Sequence, residues 1–150
     1  MKKKLLLEAV LKIKDSVERS ISFSYDDIIK YNTTDKKVDN LLSRLERLEV
    51  QLLHLKEVIQ EANKGKLRGI TNNYNIYYLS NLTAKKRFYE DLISNLGKNK
   101  KAVNVQIPKE DAILSLNKLK EEIFKFQQKL TTFNSKKKVT VILDESLNLL

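Results

Sequence analysis

The stretch VDNLLSRLERLEVQLLHLKEVIQEA, residues 38–62, decides the fold class predicted for this chain. Its apolar residues recur at alternating steps of three and four, which is the heptad spacing of a packed helix. The positions with this spacing are Val38, Leu41, Leu45, Leu48, Leu52, Leu55, Ile59 and Ala62. Leu42, Leu53 and Val58 widen the apolar stripe, and a stripe this wide needs more than one neighbouring helix. We therefore predict a bundle helix from about residue 36 to residue 63, ended near Gly65.

Three more helices follow from the same spacing. We expect an N-terminal helix over residues 2–19, a long helix over about 75–96 that stops at Gly97, and another from Pro108 to about residue 134. The chain has three glycines and one proline, so it contains few residues that break helices. Long helices are therefore expected to dominate the fold.

Three short stretches alternate with a period of two, as strands do: ISFSY at 21–25, AVNVQI at 102–107 and VTVIL at 139–143. They are too few and too short for a core sheet, and they predict a small ribbon at the end of the bundle or pairing between subunits. The predicted fold class is mainly α. It is an elongated antiparallel helical bundle of coiled-coil-like helices, with two or three short β segments at the ends and a single domain over residues 1–150.

The composition argues against catalytic chemistry. The chain has no cysteine, and His54 is its single histidine, so thiol nucleophiles and zinc-thiolate sites are excluded. His54 lies at the edge of the leucine stripe, where a half-exposed histidine is common, and we do not assign it as a ligand or a base. No glycine-rich phosphate loop, metalloprotease motif or nucleophile elbow occurs. We therefore expect no catalytic residue, no cofactor, no metal site and no enzyme activity.

The N-terminus resembles a secretory signal only briefly. In MKKKLLLEAVLKIKD, Glu8 interrupts the apolar run after three leucines and Lys12 follows, so no hydrophobic region of useful length remains. No stretch approaches the ~20 apolar residues of a membrane span. We expect a cytoplasmic protein without a membrane span.

A basic and tyrosine-rich region follows the leucine stripe. The sequence KGKLRG at 64–69 precedes NNYNIYYLSNL at 72–82, and the net charge of +10 is concentrated after residue 63. If neighbouring helices are antiparallel, the 64–74 turn, the 135–150 tail and the start of the first helix lie at the same pole. This places Lys2, Lys3 and Lys4 beside a candidate surface for nucleic acid or for a protein partner. The candidate surface consists of Lys64, Lys66, Arg68, Tyr74, Tyr77, Tyr78, Lys136, Lys137 and Lys138.

Two interpretations of this surface remain open. Cations beside tyrosine rings are what single-strand binding proteins use, because cations neutralise phosphates and rings stack on bases. The alternative, which we favour, is that Tyr77 and Tyr78 pack on the core and leave a hydroxyl in water. The positive charge itself is also what a lysine-rich composition drift would produce.

Three segments with this leucine spacing resemble the septicolysin-like small helical proteins of bacteria: VIQEAN at 58–63, LSNLTAKKRFYEDLI at 79–93 and LNKLKEEIFKFQQKLTTFN at 116–134. The resemblance covers about residues 38–134 and includes Asn63, Gln128 and Asn134. It implies an all-helical, oligomeric bacterial protein with no established activity. The lytic name of that family suggests action on membranes.

The functional expectation is therefore a non-catalytic, self-associating helical protein with an interaction or structural role. We expect a homo-oligomer, with a further protein partner possible. The alternative is a nucleic-acid-binding accessory protein. A third hypothesis is a membrane-active protein, for which only the first helix, with LLLEAVLKI at 5–13, qualifies. The apolar segment KVTVILDESLNLL at 138–150 should dock on a surface of the same subunit or of another.

Overall fold

The computed structural model describes residues 1–32, 38–98 and 106–150. The elements in chain order are β1 (Lys2–Leu6), α1 (Leu7–Tyr31), α2 (Asp39–Ala62), β2 (Lys66–Leu67), β3 (Ile70–Thr71), α3 (Asn72–Lys98), α4 (Lys109–Lys136), β4 (Lys138–Ile142) and a short 3-10 helix (Glu145–Leu147). The predicted mainly α fold with short antiparallel β segments is confirmed.

The chain divides into two compact units. The first unit contains Met1–Gly65 and Asn134–Leu150, and the second unit contains Lys66–Phe133. The single domain expected from the sequence stays a prediction.

In the first unit, α1 and α2 form an antiparallel helix pair. Their direction is fixed by two cross-links, because the Tyr25 hydroxyl donates to Glu49 at 2.6 Å while Lys56 and Glu18 approach to 3.8 Å at the other end. The facing residues follow helical spacing on both helices. The buried ones are Val10, Ile13, Val17, Leu48 and Leu55.

A two-stranded ribbon covers this helix pair. Strand β1 pairs with β4 in antiparallel register, with Lys4 opposite Thr140 and Leu6 opposite Lys138. The ladder continues at both ends, because the Leu7 amide donates to the Lys137 carbonyl and the Leu143 amide donates to the Met1 carbonyl. One face of the ribbon contributes Val141, and Leu143 and Leu147 follow it into the same core. The segment 138–150 therefore docks within its own subunit, one of the two outcomes expected from the sequence.

The second unit is built on α3 and α4. Leu82 of α3 lies in one cluster with Leu119 and Ile123 of α4, and half-buried aromatic residues border that cluster. A tight hairpin of β2 and β3 precedes α3. The turn residues Arg68 and Gly69 both have positive φ, at 52° and 81°, as a type I′ turn requires. The Thr71 hydroxyl accepts a hydrogen bond from the Tyr74 amide at 3.2 Å and so caps the start of α3.

Several boundaries differ from those expected. The predicted N-terminal helix was wrong over Lys2–Leu6. These residues form a strand because they pair with β4, which lies more than 130 residues away in the chain. The predicted strand ISFSY at 21–25 was also wrong, because Ile21 and the buried Ser24 extend the buried stripe of α1, and Ser24 donates to the Ser20 carbonyl at 2.8 Å.

Other predictions have mixed outcomes. The predicted stop at Gly97 agrees with the structure to within one residue, since α3 ends at Lys98. The stop near Gly65 is confirmed, since α2 ends at Ala62, while the predicted start at about residue 36 lies outside the described residues. For AVNVQI, residues 102–105 lie outside the described residues, and 106–107 form a bend. The strand at 139–143 is confirmed as β4.

Candidate functional site

The candidate site is a groove between α2 and the end of β4, entirely within the first unit. It encloses about 480 Å³. Its walls are Glu46, Arg47, Val50, Gln51, His54, Ile142, Leu143 and Asp144. The groove combines apolar side chains with charged groups, a composition that is common at binding sites.

Two polar side chains of α2 hold β4 at the base of the groove. The Gln51 amide donates to the Ile142 carbonyl at 2.9 Å and accepts from the Asp144 amide at 2.7 Å. The His54 Nε2 accepts from the Ile142 amide at 2.9 Å. Since Ile142 lies in a pair whose backbone groups point away from β1, these bonds satisfy the outer edge of the ribbon at this position. His54 is half-exposed, as expected from the sequence, and its Nε2 accepts a hydrogen bond from the backbone of β4.

Three large apolar side chains remain exposed at this groove. Val50 is 68 % exposed and Ile142 is 59 % exposed, and both line the groove. Leu53, one helical turn from Val50, is 65 % exposed. Leu53 belongs to the apolar stripe of α2, but within the described residues no element covers it. The stripe is wider than the first unit itself can bury.

Charged groups border the apolar part of the groove. The side chain and amide of Ser146 donate to the Asp144 carboxylate at 2.6 and 2.9 Å, and these bonds lower the pKa of Asp144 below its ordinary value, with Arg47 and the N-terminal ammonium group adding to the effect. Arg47 is exposed and forms no ion pair with any described residue. Its guanidinium group is available to a partner.

The first unit brings some of the sequence-predicted lysines together. Lys137 and Lys138 line a second cavity with Glu61 and Ala62, at the end of α2, where Lys64 donates to Glu61 at 2.8 Å. On the ribbon, Lys2, Lys4 and Lys138 share the face opposite to Val141. Lys136 is exposed at the end of α4.

The other predicted residues belong to the second unit. Lys66 and Arg68 lie in the β2–β3 hairpin. Tyr74 stacks on Tyr78, with ring centroids 5.9 Å apart. The ring of Tyr78 also contacts that of Phe126, with centroids 4.6 Å apart. Tyr77 is 69 % exposed.

The two adjacent tyrosines therefore differ in environment. The Tyr78 hydroxyl donates to Glu122 of α4 at 2.9 Å, and this bond raises the pKa of Tyr78. The packing role expected for the pair agrees with the position of Tyr78 and not with that of Tyr77. A carboxylate beside the half-buried ring also repels phosphate, which weakens the case for base stacking at Tyr78.

Sequence reasoning did not identify Gln51 or Ile142 as parts of a site. A glutamine among leucines at a buried helical position was the available signal, because a buried amide requires hydrogen-bond partners. The partner strand could not be inferred from that signal, since it is more than 90 residues away.

Within the described ranges, no helix is both long and apolar enough to cross a bilayer, and no cluster of three or more carboxylate or imidazole groups is arranged to hold a metal ion. Comparison with protein-family models, with curated proteins and with solved structures finds no match. The resemblance to the septicolysin-like proteins therefore stays a prediction.

Proposed function

We propose that this chain is a non-catalytic helical interaction protein that self-associates. The observation that carries the proposal is the exposed apolar group of Val50, Leu53 and Ile142 beside the groove of the first unit. Single exposed apolar residues are common on monomeric proteins, whereas neighbouring ones bordered by polar groups mark interaction surfaces. The proposal keeps the expected cytoplasmic location and bacterial origin.

The proposal is tested on the unmodified chain by sedimentation equilibrium over a series of protein concentrations. We expect a species larger than a monomer at tens of micromolar. A strict monomer throughout that range would contradict self-association. In that case the same surface would be assigned to a different protein partner.

A second candidate function, nucleic-acid binding, is favoured by one specific observation. Lys2, Lys4 and Lys138 lie on one face of the ribbon, and none of them forms an ion pair with a described residue. A row of cations of this kind attracts a phosphate backbone. Against it, the contact of Tyr78 with Phe126 and its hydrogen bond to Glu122 argue that Tyr78 has a structural role.

The two functions are separated by a salt titration with a fluorescent single-stranded oligonucleotide. We expect no measurable binding near physiological salt. Binding of micromolar strength under those conditions, with a salt dependence that flattens in a Lys2→Gln, Lys4→Gln, Lys138→Gln variant, would favour nucleic-acid binding instead.

The packing of α1 argues against the membrane-active hypothesis. The apolar residues of α1 on which it depends, including Val10, Ile13 and Val17, are buried in the core of the first unit. The segment on which this hypothesis depends therefore has its main apolar face packed against the protein core instead of free for a lipid interface.

A further inference from the structure

We infer that the exposed face of α2 is a self-complementary interface, on which a second copy of this chain docks with its own α2 antiparallel. The inference rests on the proposed self-association and adds the surface, the orientation and the residues that pair. Three features of the described residues support it: the position of the exposed apolar residues, the order of charges along α2 and the groove beside them.

The first feature is the apolar centre. Val50 and Leu53 lie one turn apart near the middle of α2 and are among the most exposed large apolar residues of the first unit. Ile142 of β4 lines the same groove as Val50 and extends this centre beyond the helix. Since the Ile142 backbone is fixed by Gln51 and His54, the centre is presented on a rigid element and little ordering is lost on docking.

The second feature is the charge order, which favours a second copy of this chain. Arg47 and Glu57 are both exposed and form no ion pair with a described residue. They lie on the same side of α2 as Val50, equally far before and after residue 52. Two antiparallel copies related by a two-fold axis at residue 52 place Arg47 of each against Glu57 of the other. The same axis places the Leu53 side chain of each copy close to Val50 of the other.

The third feature is the shape of the surface. The groove of about 480 Å³ lies directly beside Val50, so an incoming Leu53 side chain has a concave apolar surface to enter. In a two-fold arrangement this contact is made twice. A parallel arrangement would instead set Arg47 against Arg47 and Glu57 against Glu57, which is unfavourable.

The experiment uses the full chain and measures the association constant by sedimentation equilibrium. Val50→Glu and Leu53→Glu place a carboxylate in the apolar centre, and we expect each to abolish association over the concentration range in which the unmodified chain associates. The charge reversals Arg47→Glu and Glu57→Arg each set like charges together at two symmetric contacts. We expect each single reversal to weaken association roughly 2- to 30-fold, and the double variant Arg47→Glu, Glu57→Arg to restore it.

Two controls make the result specific. Lys12→Glu on α1 makes the same change of charge as Arg47→Glu at an exposed position outside this face, and it should leave the association constant unchanged. All these positions are exposed, so circular dichroism and the urea midpoint should show that each variant remains folded.

The outcomes distinguish this inference from the proposed function. If the unmodified chain associates but Val50→Glu and Leu53→Glu leave the association unchanged, self-association stands and this interface is wrong. Single reversals that weaken association without rescue in the double variant would overturn the antiparallel pairing. An unmodified chain that is monomeric throughout overturns self-association and, with it, this interface.

Discussion

The two units each contain a pair of long helices, but among the described residues only the first unit adds a third layer. In the first unit the β1–β4 ribbon lies over α1 and α2, and Val10, Leu55 and Val141 are fully buried. In the second unit the core residues Leu82, Leu119 and Ile123 are buried but retain 6 to 9 % of their exposure. Two helices alone bury one stripe each and leave the edges of that stripe in water. The comparison teaches that a leucine stripe indicates a helix, while its partners determine how completely it is buried.

The largest expected effect is a core truncation in the first unit. Leu55→Ala should lower the free energy of unfolding by about 2–5 kcal/mol, toward the upper end, because α1 and the ribbon hold both sides of the site and limit its collapse. Leu119→Ala should cost less, because the surroundings of this residue in the second unit are open to relaxation. Urea unfolding followed by circular dichroism measures both. Equal losses would show that the third layer does not determine the difference.

A smaller effect should separate two neighbouring tyrosines in the second unit. Tyr78→Ala removes a ring that contacts Phe126 and a hydroxyl that donates to Glu122, so it should lower the urea midpoint. Tyr77→Ala removes an exposed ring and serves as the matched control, with no change of midpoint expected. If Tyr77→Ala destabilises the chain as much as Tyr78→Ala, the different environments of the two rings would be refuted.

The smallest effect concerns pH, and its direction differs between Asp144 in the first unit and Tyr78 in the second. In the folded first unit, the hydrogen bonds from Ser146 hold the pKa of Asp144 below its ordinary value of 3.8. Ionised Asp144 therefore stabilises the fold at pH values above its pKa in the unfolded chain. This stabilisation is lost as the pH falls through the pKa of Asp144 in the folded protein. In the second unit the pKa of Tyr78 is raised above its ordinary value of 10.0 by its bond to Glu122. That stabilisation is present below the unfolded pKa and is lost as pH rises through the folded one.

Two conservative variants test this assignment. Asp144→Asn should reduce the acid dependence of the urea midpoint, and Tyr78→Phe should reduce the alkaline dependence. Tyr25 in the first unit also has a pKa raised by its bond to Glu49, so Tyr78→Phe should leave part of the alkaline dependence in place. An acid dependence unchanged by Asp144→Asn would mean that other carboxylates dominate it.

The sequence could predict the helices because their signal is local. Leu45, Leu48 and Leu55 recur at helical spacing and are buried as that spacing indicates. The strand β1 could not be predicted in the same way, because Lys2–Leu6 are extended only through pairing with Lys138–Ile142, far away in the chain. The segment ISFSY at 21–25 was wrongly predicted as a strand because its local pattern also fits a helix. Its alternation by two is compatible with a helix in which Phe23 and Tyr25 remain exposed.

The candidate site shows the same limit. The lysines and tyrosines were conspicuous in the sequence, yet they are distributed over both units. Gln51 and His54, which hold β4 against α2, are isolated polar residues in an apolar stripe. Their role depends on the backbone of a distant segment, and backbone groups leave no mark in the sequence.

The pairing of β1 with β4 also has a consequence for how the protein is made. The Met1 ammonium group donates to the Leu143 carbonyl at 2.8 Å, and the entire second unit lies between the two strands in the chain. On a ribosome, α1 and α2 emerge early, but the apolar surface around Val10, Leu48 and Leu55 stays uncovered until residues 138–147 have been synthesised. Closing so long a loop is slow. During translation, the same leucine stripe that specifies α2 is therefore an exposed apolar surface of the kind that chaperones protect.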